Sequence, residues 1–280
     1  MNYQHAYHAG NVADVFKHCV LIEILRSLQK KPAPFCVMDA HAGSGIYRLK
    51  PSGEHEQGIG LLWPERTRWP ALADYFAVIE KFNGVGPVKH YPGSPLIIST
   101  FLRAPAPTSR DRAILMELHP EECKKLKENL AGTKGAAVHH IDAWNGLKAF
   151  VPPPENRGLV LIDPPYEEPG EFNRLVLALT RALKHWRNGI YMAWYPIKAR
   201  KPVTEFLQAI RILQAKATAV EFLTLPTDVE QRLNGSGVVI INPPWKLLQR
   251  LKTLLPPLAL RLAGPTGKPQ TNFYDLETQR

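Results

Sequence analysis

Cysteine is scarce in this chain, and its few cysteines lie far apart. The three are Cys19, Cys36 and Cys123, and none begins a Cys-x-x-Cys pair. Widely spaced cysteines in odd number are typical of reduced thiols, because disulfide frameworks and structural zinc sites need paired spacings. The ten histidines are scattered, without a His-Glu-x-x-His pattern. We therefore predict that the protein holds no metal and is cytoplasmic.

Long apolar runs and a surplus of acidic residues are also absent. No uncharged apolar run approaches the roughly 18 residues that a membrane-spanning helix needs, so no membrane partner is expected. Residues 1–8 lack the basic-then-apolar order of a secretory signal. The 35 basic residues outnumber the 25 acidic ones and leave a net charge of +10. Such an excess is typical of proteins that bind a polyanion, usually nucleic acid.

A buried strand followed by a rigid turn is the most informative stretch. Residues 158–162 are a continuous apolar run, which predicts a strand buried on both faces. The strand ends at Asp163-Pro164-Pro165-Tyr166, and two consecutive prolines cannot continue a sheet ladder. A carboxylate, a turn with free carbonyls and an aromatic ring therefore follow the carboxyl end of the strand, where ligands bind in open α/β sheets. This arrangement resembles the (Asp/Asn/Ser)-Pro-Pro-(Tyr/Phe/Trp) motif of methyltransferases that modify exocyclic amino groups.

The residue types of this motif suit that chemistry. The lone pair of adenine N6 is delocalised into the ring, and hydrogen bonds from N6 to the Asp163 carboxylate and the Pro164 carbonyl would localise it. Tyr166 would hold the extruded base by stacking. We therefore predict Asp163, Pro164 and Tyr166 as catalytic residues. A strand that merely ends in a Pro-Pro turn would look the same, so the four residues alone leave both interpretations open.

The amino-terminal part predicts a capped helix and then a glycine-rich turn. Asn11 is a candidate N-cap, with Asp14 three residues later, for a helix to about Lys30. A short strand ends at Asp39 and enters Ala-His-Ala-Gly-Ser-Gly at 40–45. Glycines let backbone amides approach a ligand closely. The spacing resembles the loop of amino-group methyltransferases that holds the methionine part of S-adenosylmethionine, although an ordinary strand-to-helix turn would look similar.

Acidic residues end two further predicted strands. Ser94 is a candidate N-cap for a helix that leads to a strand ending at Glu117, and the next strand ends at Asp142. In nucleotide-binding α/β folds the acid that ends the second strand accepts hydrogen bonds from ribose hydroxyls. An acid that ends the third strand can accept from the adenine amino group. Single acids at strand ends are common, so it is their order that indicates a nucleotide site.

The alternation of strands and helices predicts an α/β fold. We expect a Rossmann-like, seven-stranded, mostly parallel sheet with helices on both faces. Residues 47–91 interrupt the alternation with glycines, prolines, tryptophans and a helical segment. We therefore predict one domain, formed by residues 1–46 and 92–280, with an inserted small helical subdomain at about 47–91.

A second Pro-Pro motif, Asn242-Pro-Pro-Trp245, also ends a predicted strand. That strand, 237–241, and the preceding one, 219–225, are expected to form an antiparallel hairpin at the sheet edge, and the chain beyond Ala263 is expected to be irregular. A cofactor beside the first strand meets its acceptor at the end of the fourth strand, where Asp163 lies. We therefore assign the acceptor motif to Asp163 and place Trp245 in the core or at the rim.

Basic residues without any acid fill two segments of the second half. Residues 172–204 hold seven and residues 232–274 hold six. Phosphate contacts from these side chains would give a nucleic-acid affinity that depends on salt and not on sequence. The alternative is a basic face that is merely solvated.

Taken together, the motifs resemble those of the bacterial 23S ribosomal RNA adenine-N6 methyltransferases of the J type. The matching pieces occur in family order over nearly the whole chain: Tyr3-x-His-x-x-His-Ala-Gly-Asn-x-Ala-Asp14, Lys17-His18, Asp39-x-His-Ala-Gly-x-Gly45, Tyr91-Pro-Gly-Ser-Pro95, Glu117-Leu-His-Pro120, Asp163-Pro-Pro-Tyr166, Trp194-Tyr-Pro196 and Asn242-Pro-Pro-Trp-Lys246.

The resemblance implies S-adenosylmethionine as cofactor, S-adenosylhomocysteine as product, 23S ribosomal RNA as partner and a monomeric enzyme. It implies that the cofactor is contacted by His18, His41, Gly43, Gly45, Ser94, Glu117, Asp142, Ala143 and Asp163. Asp163 would also accept the proton from N6, and Tyr3, Lys17 and Tyr166 would lie beside the substrate base. The position of His18 alone favours a buried, satisfied histidine, and the resemblance reverses that interpretation. Ala143 stands where the family often has glycine, and its backbone amide survives the change.

Other functions share parts of this pattern. A DNA adenine-N6 methyltransferase uses the same motif and cofactor loop, although no long target-recognition segment is visible here. Cytosine-N4 enzymes more often begin the motif with Ser, and protein-glutamine enzymes more often begin it with Asn. A basic RNA-binding protein without activity would keep the fold, but it would have no need of Asp163, Tyr166 and the two glycines Gly43 and Gly45.

Overall fold

The computed structural model divides into two compact units, residues 1–142 and 143–280. The structure describes residues 5–103, 110–226, 232–264 and 267–277. Among these residues, no helix combines the length and apolar character that crossing a bilayer requires.

The first unit alternates helices and strands. In chain order its elements are α1 (His5–His8), α2 (Val12–Gln29), β1 (Cys36–Asp39), β2 (Ile46–Arg48), α3 (Ile59–Leu62), α4 (Ala73–Asn83), β3 (His90–Pro92), α5 (Ser94–Phe101), β4 (Arg112–Glu117), α6 (Pro120–Asn129) and β5 (Ala136–His140), with short 3-10 helices at Glu54–Gln57, Trp63–Arg68 and Pro70–Leu72.

Helix α2 begins where the sequence predicts. The Asn11 side chain accepts a hydrogen bond from the Asp14 amide at 3.0 Å, and Asp14 Oδ2 in turn accepts one from the Gly10 amide at 2.9 Å. This pair is a variant of the capping box, in which the acid satisfies the amide one residue before the cap. The helix is buried along most of its length, from Asp14 to Leu25 and at Leu28.

The first unit's sheet is parallel, in the order β1, β4, β5. Asp39 pairs with Leu115, and Glu117 pairs with His140. The carboxyl ends of the three strands therefore share one edge of this sheet. The predicted insertion contains α3, α4 and the three 3-10 helices, and it also contains a strand pair that the sequence did not predict, because β2 and β3 are antiparallel neighbours. The domain boundaries at residues 47 and 91 stay a prediction.

The second unit also alternates helices and strands, and then ends in antiparallel strands. Its elements are α7 (Ala143–Phe150), β6 (Gly158–Ile162), α8 (Glu171–His185), β7 (Ile190–Ile197), α9 (Arg200–Ile212), β8 (Ala217–Leu223), β9 (Gly235–Ile241), α10 (Leu247–Leu262) and β10 (Gln270–Asp275). The five residues of β6 are all buried, as the continuous apolar run predicts.

The sheet of the second unit has the order β10-β8-β9-β7-β6. Strands β6 and β7 are parallel, whereas β7–β9, β9–β8 and β8–β10 are antiparallel pairs. The predicted hairpin of β8 and β9 is confirmed, and the expected α/β fold with a mostly parallel sheet is confirmed as well.

The sheet differs from the expected one in one additional strand. Within the described residues, the β1-β4-β5 sheet and the sheet of the second unit hold three and five strands, one more in total than the seven expected. The additional strand is β10, in the tail that was predicted to be irregular, and it takes the edge position that was expected for the hairpin. A polar strand without a continuous apolar run gives little local signal, and β10 is defined by its pairing with β8, which lies 47 to 57 residues earlier in the chain.

Candidate active site

The glycine-rich turn of the first unit is tied to the end of β4. The Gly43 amide donates to Glu117 Oε2 at 2.7 Å, and the Ala42 amide donates to the Met116 carbonyl at 2.9 Å. Gly43 and Gly45 have φ values of +62° and +85°, in the region that favours glycine. A Cβ at Gly43 would overlap the Tyr47 hydroxyl. The turn therefore needs glycine for both its backbone and its packing.

Two acidic residues follow each other at neighbouring strand ends on the carboxyl edge of this sheet. Glu117 Oε1 accepts from the His119 amide at 2.7 Å, in addition to the bond from Gly43. An ionised carboxylate has about four acceptor positions, so Glu117 keeps capacity for ligand hydroxyls. The Ile141 amide donates to the Glu117 carbonyl at 3.2 Å, which places Asp142 at the end of the neighbouring strand. The two acids are therefore adjacent, in the order that the sequence predicts.

The buried Tyr47 and a backbone hydrogen bond fix the turn and connect it with the start of α5. The Tyr47 hydroxyl accepts from the Ser44 amide at 3.2 Å, and the Gly45 carbonyl accepts from the Gly93 amide at 2.7 Å. Ser94 therefore lies next to the turn. Ser94 was wrongly predicted as the N-cap of α5: the cap is Gly93, and Ser94 is the first helical residue.

His18 is buried against Tyr91. Its Nδ1 lies 2.8 Å from the Tyr91 hydroxyl, and the two rings stack with centroids 5.5 Å apart. The Tyr91 hydroxyl also lies 3.0 Å from the Tyr75 hydroxyl. Burial, more than any neighbouring charge, raises the pKa of Tyr75 and of Tyr91 well above the ordinary value, so both phenols stay protonated. His18 therefore lies in a buried hydrogen-bonded chain with two protonated phenols, and its contact with a cofactor stays a prediction.

Lys17 is buried and paired. Its Nζ lies 2.9 Å from Asp14 Oδ1, so the acid of the capping box also forms an ion pair with this ammonium group. The role of Lys17 beside a substrate base stays a prediction. Tyr3, which was predicted for the same place, lies outside the described residues. His41 follows β1, and its amide lies 3.3 Å from Asp39 Oδ1, at the start of the glycine-rich turn.

The described residues of the first unit fit a nucleoside-bearing cofactor. A glycine-rich turn after a strand lets backbone amides approach a ligand, and the Glu117 carboxylate beside it is an acceptor for ribose hydroxyls. Asp142 at the neighbouring strand end is placed for a second polar contact. Within the described part of the chain, no cluster of three or more His, Cys, Asp or Glu side chains has the arrangement of a metal site.

The second unit holds the predicted acceptor motif after β6. Tyr166 has a φ of +53°, a left-handed conformation that is uncommon for a tyrosine. Its hydroxyl donates to the Trp194 carbonyl in β7 at 2.7 Å. Its ring contacts Phe172 and Trp194, with centroids 5.1 and 5.8 Å away. The Tyr166 side chain is therefore held in one orientation just past the end of the strand, next to Asp163. Ala143, the remaining predicted residue of this unit, begins α7.

Charge and burial act together at Tyr166. Burial first, and then the negative charges of Asp163 and Glu171, raise the pKa of the Tyr166 phenol well above its ordinary value. Burial also raises the pKa of Glu171, although Arg174 and a hydrogen bond from the Tyr166 backbone oppose the change. Glu171 therefore binds the backbone of the residue that has the unusual φ.

Three residues that support this motif were not predicted as site residues. Glu171, Phe172 and Trp194 hold Tyr166, yet none was given a role. A weak signal existed for two of them, since an acid and an aromatic residue open the helix that follows the motif. Trp194 stands in one of the motifs that match the family, but its contact with Tyr166 could not be predicted, because it comes from the neighbouring strand.

The second Pro-Pro motif lies at the opposite edge of the sheet. Strand β9 is antiparallel to β7, so Asn242 follows β9 at the level where β7 begins. Its side-chain amide donates to the carbonyls of Arg187 and Gly189, both at 2.8 Å. The assignment of the acceptor motif to Asp163 is thus supported by strand direction. Of the two places expected for Trp245, the core is excluded because this side chain is 84% exposed, and the rim remains.

Some residues of the basic segments have partners within the protein. Arg200 makes two hydrogen bonds to the buried Glu221 carboxylate, at 2.7 and 3.0 Å. Lys252 lies over the Phe273 ring at 5.6 Å, and Arg174 lies 3.4 Å from Glu171. These three side chains stabilise the second unit and are less available to a polyanion than the sequence indicates.

Comparison with known proteins decides the family. A family model described as "RsmJ: Ribosomal RNA large subunit methyltransferase D, RlmJ" matches residues 32–274. The chain belongs to the RlmJ family. It is 36% identical over 273 residues to "Ribosomal RNA large subunit methyltransferase J" of Escherichia coli and 38% identical over 274 residues to the protein of that name from Haemophilus influenzae, and each alignment covers 95% of both chains.

A solved structure of similar sequence has the same fold. The crystal structure of protein LPL1258 from Legionella pneumophila superimposes with a TM-score of 0.89 at 33% identity, and the match covers 96% of this chain and 98% of that one. The RlmJ family is a family of methyltransferases, and membership implies the use of S-adenosylmethionine. The roles of the individual site residues stay predictions.

Proposed function

We propose that this RlmJ family member transfers a methyl group from S-adenosylmethionine to the exocyclic N6 of an adenine in 23S ribosomal RNA. The observation that carries the proposal is the Asp163–Tyr166 motif at the carboxyl end of β6, with a Tyr166 ring fixed by its hydrogen bond to Trp194. The names of the two curated relatives supply the RNA class of the substrate.

In the proposed reaction Asp163, Pro164 and Tyr166 have different roles. The Asp163 carboxylate and the Pro164 carbonyl accept hydrogen bonds from N6, so that its lone pair is localised and aimed. The Tyr166 ring stacks on the extruded base. Asp163 receives the proton that N6 loses, as a general base within hydrogen-bond reach. The neutral Tyr166 phenol keeps its bond to the Trp194 carbonyl and adds no charge beside the base.

Most of the proposed cofactor contacts come from the first unit, and Ala143 and Asp163 of the second unit are also proposed to contact the cofactor. Bound S-adenosylmethionine supplies a methyl group that is electrophilic because it is attached to a sulfonium. The Gly43–Gly45 turn would hold the methionine part, and Glu117 would accept from the ribose hydroxyls. Asp142 and the Ala143 amide would contact the adenine, and His18, His41 and Ser94 would complete the site. We also propose that the enzyme acts as a monomer in the cytoplasm.

The test is transfer of a labelled methyl group to unmodified 23S ribosomal RNA, with adenine-containing DNA as a parallel substrate and digestion of the products to nucleosides. We expect N6-methyladenosine from RNA alone. Label in DNA alone would favour a DNA adenine methyltransferase. Cofactor binding without transfer to either substrate would point to a different acceptor, and absence of both would favour an inactive RNA-binding protein.

The variant Asp163→Ala tests the assigned mechanism. We expect kcat to fall at least about 100-fold, since an acceptor of the N6 hydrogen bond and proton is lost. The unfolding temperature and the affinity for RNA should stay unchanged, because Asp163 is not part of the core. Glu205→Ala, which removes an exposed carboxylate from α9, is the matched control and should keep full activity. Undiminished turnover by Asp163→Ala would refute the mechanism.

A further inference from the structure

The turn after β9, residues 242–246, is fixed more firmly than a surface connection requires. The Asn242 side chain bonds the Arg187 and Gly189 carbonyls, and its backbone amide donates to the Lys216 carbonyl at 2.8 Å. Asn242 and Lys246 have φ values of +54° and +60°, so two left-handed residues flank Pro243-Pro244-Trp245. Left-handed non-glycine residues persist where the surrounding structure holds them, and they concentrate at functional sites.

This rigid turn holds a tryptophan out in solvent. Trp245 is 84% exposed, whereas Trp186 in the same unit is 7% exposed and contacts Tyr191. A buried tryptophan removes roughly 150–250 Å² of surface from water, and this burial stabilises the fold. The exposed Trp245 lacks most of that stabilisation. The turn is held by Asn242 and the backbone, so the fold gains little from a large aromatic side chain at position 245.

The segments that hold this turn carry basic residues. Arg187 and Lys216, whose carbonyls hold Asn242, have exposed side chains, and exposed Lys246 follows Trp245 directly. The Arg250 guanidinium lies 3.5 Å from the Trp245 carbonyl. The contributing stretches, residues 184–189, 211–217 and 242–250, contain neither Asp nor Glu. We call Trp245 with Arg187, Lys216, Lys246 and Arg250 the Trp245 patch.

We propose that the Trp245 patch is a second RNA-binding surface of the enzyme, on which an unpaired base of the substrate stacks. An aromatic platform among cations is the way in which proteins bind single-stranded nucleic acid without reading its sequence. The cations meet the phosphates on either side of the stacked base. The proposal rests on the proposed function only in that the substrate is RNA.

The base on Trp245 is not the base that is methylated. Asn242 follows Ile241, which pairs with Tyr191 of β7, whereas Asp163 follows Ile162, which pairs with Ala193. Ile241 and Ile162 are level with positions two residues apart on β7, and the backbone continues from them in opposite directions, so Asn242 and Asp163 lie roughly 13 Å apart along the strands. Stacking on Trp245 is therefore the same in the ground state and the transition state, and it lowers KM without changing kcat.

The experiment compares Trp245→Ala, Trp245→Phe and Leu260→Ala. Leu260 is 68% exposed on α10 and serves as the matched control for loss of an exposed apolar side chain. Binding of unmodified 23S ribosomal RNA and the kinetics of methyl transfer are both measured. We expect Trp245→Ala to raise Kd and KM about 5- to 100-fold with kcat within about twofold, since stacking contributes on that scale. Trp245→Phe should recover most of the loss, and Leu260→Ala should match the wild type.

The cations are tested by the salt dependence of binding. Arg187→Gln and Lys246→Gln should each reduce the slope of log Kd against log salt by about 0.7, as expected for one phosphate contact to a single strand. Lys124→Gln removes an exposed charge from α6, where acidic residues are interspersed, and should leave the slope unchanged. Equal slopes in all three variants would overturn the assignment of phosphates to the patch.

Other outcomes also overturn the proposal, separately from the proposed function. Unchanged Kd and KM in Trp245→Ala would remove the stacking surface, and a lower kcat with unchanged KM would place Trp245 in catalysis. Weaker binding to large-subunit particles but not to protein-free RNA would assign the patch to a protein partner. RNA binding can be measured in Asp163→Ala, so the patch is testable even if the assigned methyl transfer fails.

Discussion

At the scale of the residue, the contacts of Tyr166 fix the orientation of its side chain. Its hydroxyl bonds the Trp194 carbonyl at 2.7 Å, and its backbone bonds Glu171 while φ is +53°. The ring cannot turn without breaking these contacts. The Tyr166 hydroxyl therefore fixes the orientation of its own ring. In the proposed reaction only the ring contacts the substrate.

We predict that Tyr166→Phe keeps most activity and Tyr166→Ala does not. Loss of the hydroxyl removes one hydrogen bond, which lowers kcat/KM less than about tenfold. Loss of the ring removes base stacking and lowers kcat/KM by a further factor of about 10 or more. Because the pKa of Tyr166 is raised, the phenol stays protonated from pH 7 to pH 10, and wild type and Tyr166→Phe should have parallel pH profiles there. A Phe variant as impaired as the Ala variant would contradict this assignment.

At the scale of the element, the turn between β1 and β2 depends on glycine in two ways. Gly43 adopts a positive φ, and its missing Cβ makes room for the Tyr47 hydroxyl, which binds the Ser44 amide. Gly132, after α6, has a φ of +79° and nothing within 4 Å of the position of a Cβ. A substitution at Gly132 therefore introduces backbone strain alone, whereas a substitution at Gly43 introduces backbone strain and a steric overlap with Tyr47.

We predict that Gly43→Ala and Gly132→Ala both lower the free energy of unfolding, by about 1–2 kcal/mol from the left-handed conformation. Only Gly43→Ala should also displace Tyr47 and weaken the binding of S-adenosylmethionine, by about tenfold or more in a calorimetric titration. Equal cofactor affinity in the two variants would show that the turn does not hold the cofactor.

At the scale of the whole molecule, one ion pair ties together segments that are distant in sequence. Asp111 is 4% exposed and accepts hydrogen bonds from Arg103 Nε and Nη2 at 2.7 and 2.8 Å and from the Phe35 amide at 3.2 Å. The Arg103 guanidinium also donates to the Lys31 and Ala33 carbonyls, at 2.8 and 2.9 Å. Burial disfavours the ionised Asp111 carboxyl, yet the bonds from Arg103 and Phe35 bring its pKa below the ordinary value.

We predict a stability that depends on this pair and on pH. A lowered pKa in the folded state contributes stability above the ordinary pKa of about 3.8, and this contribution is lost as the pH falls through the folded value. Arg103→Ala should cost about 3 kcal/mol at pH 7, because a buried carboxylate loses its partner, and clearly less at pH 3. Urea unfolding at both pH values measures the difference. Lys125→Ala, which breaks the exposed pair with Glu122, should cost less than about 1 kcal/mol, and an equal loss in both variants would contradict the prediction.

The sequence by itself determined what depends on neighbours along the chain. The apolar run 158–162, the Asn11 cap of α2 and the acids that end β4 and β5 follow from local patterns, because burial, capping and strand length are read over a few residues. The order of these elements was enough to predict the α/β fold. The resemblance of the motifs to those of a known family then brought His18, Ser94, Glu117 and the glycine turn into one hypothesis about the site.

The tertiary structure alone decided what depends on distant partners. The polar tail forms strand β10 because it pairs with β8. Because β9 is antiparallel to β7, Asn242 and Trp245 lie at the edge of the sheet opposite Asp163. The bonds that hold Tyr166 come from Trp194 and Glu171, and Glu221 binds Arg200 within a segment that the sequence presents as uniformly basic. The physical reason is common to these cases: hydrogen bonds and ion pairs between elements depend on strand direction and register, which no local pattern encodes.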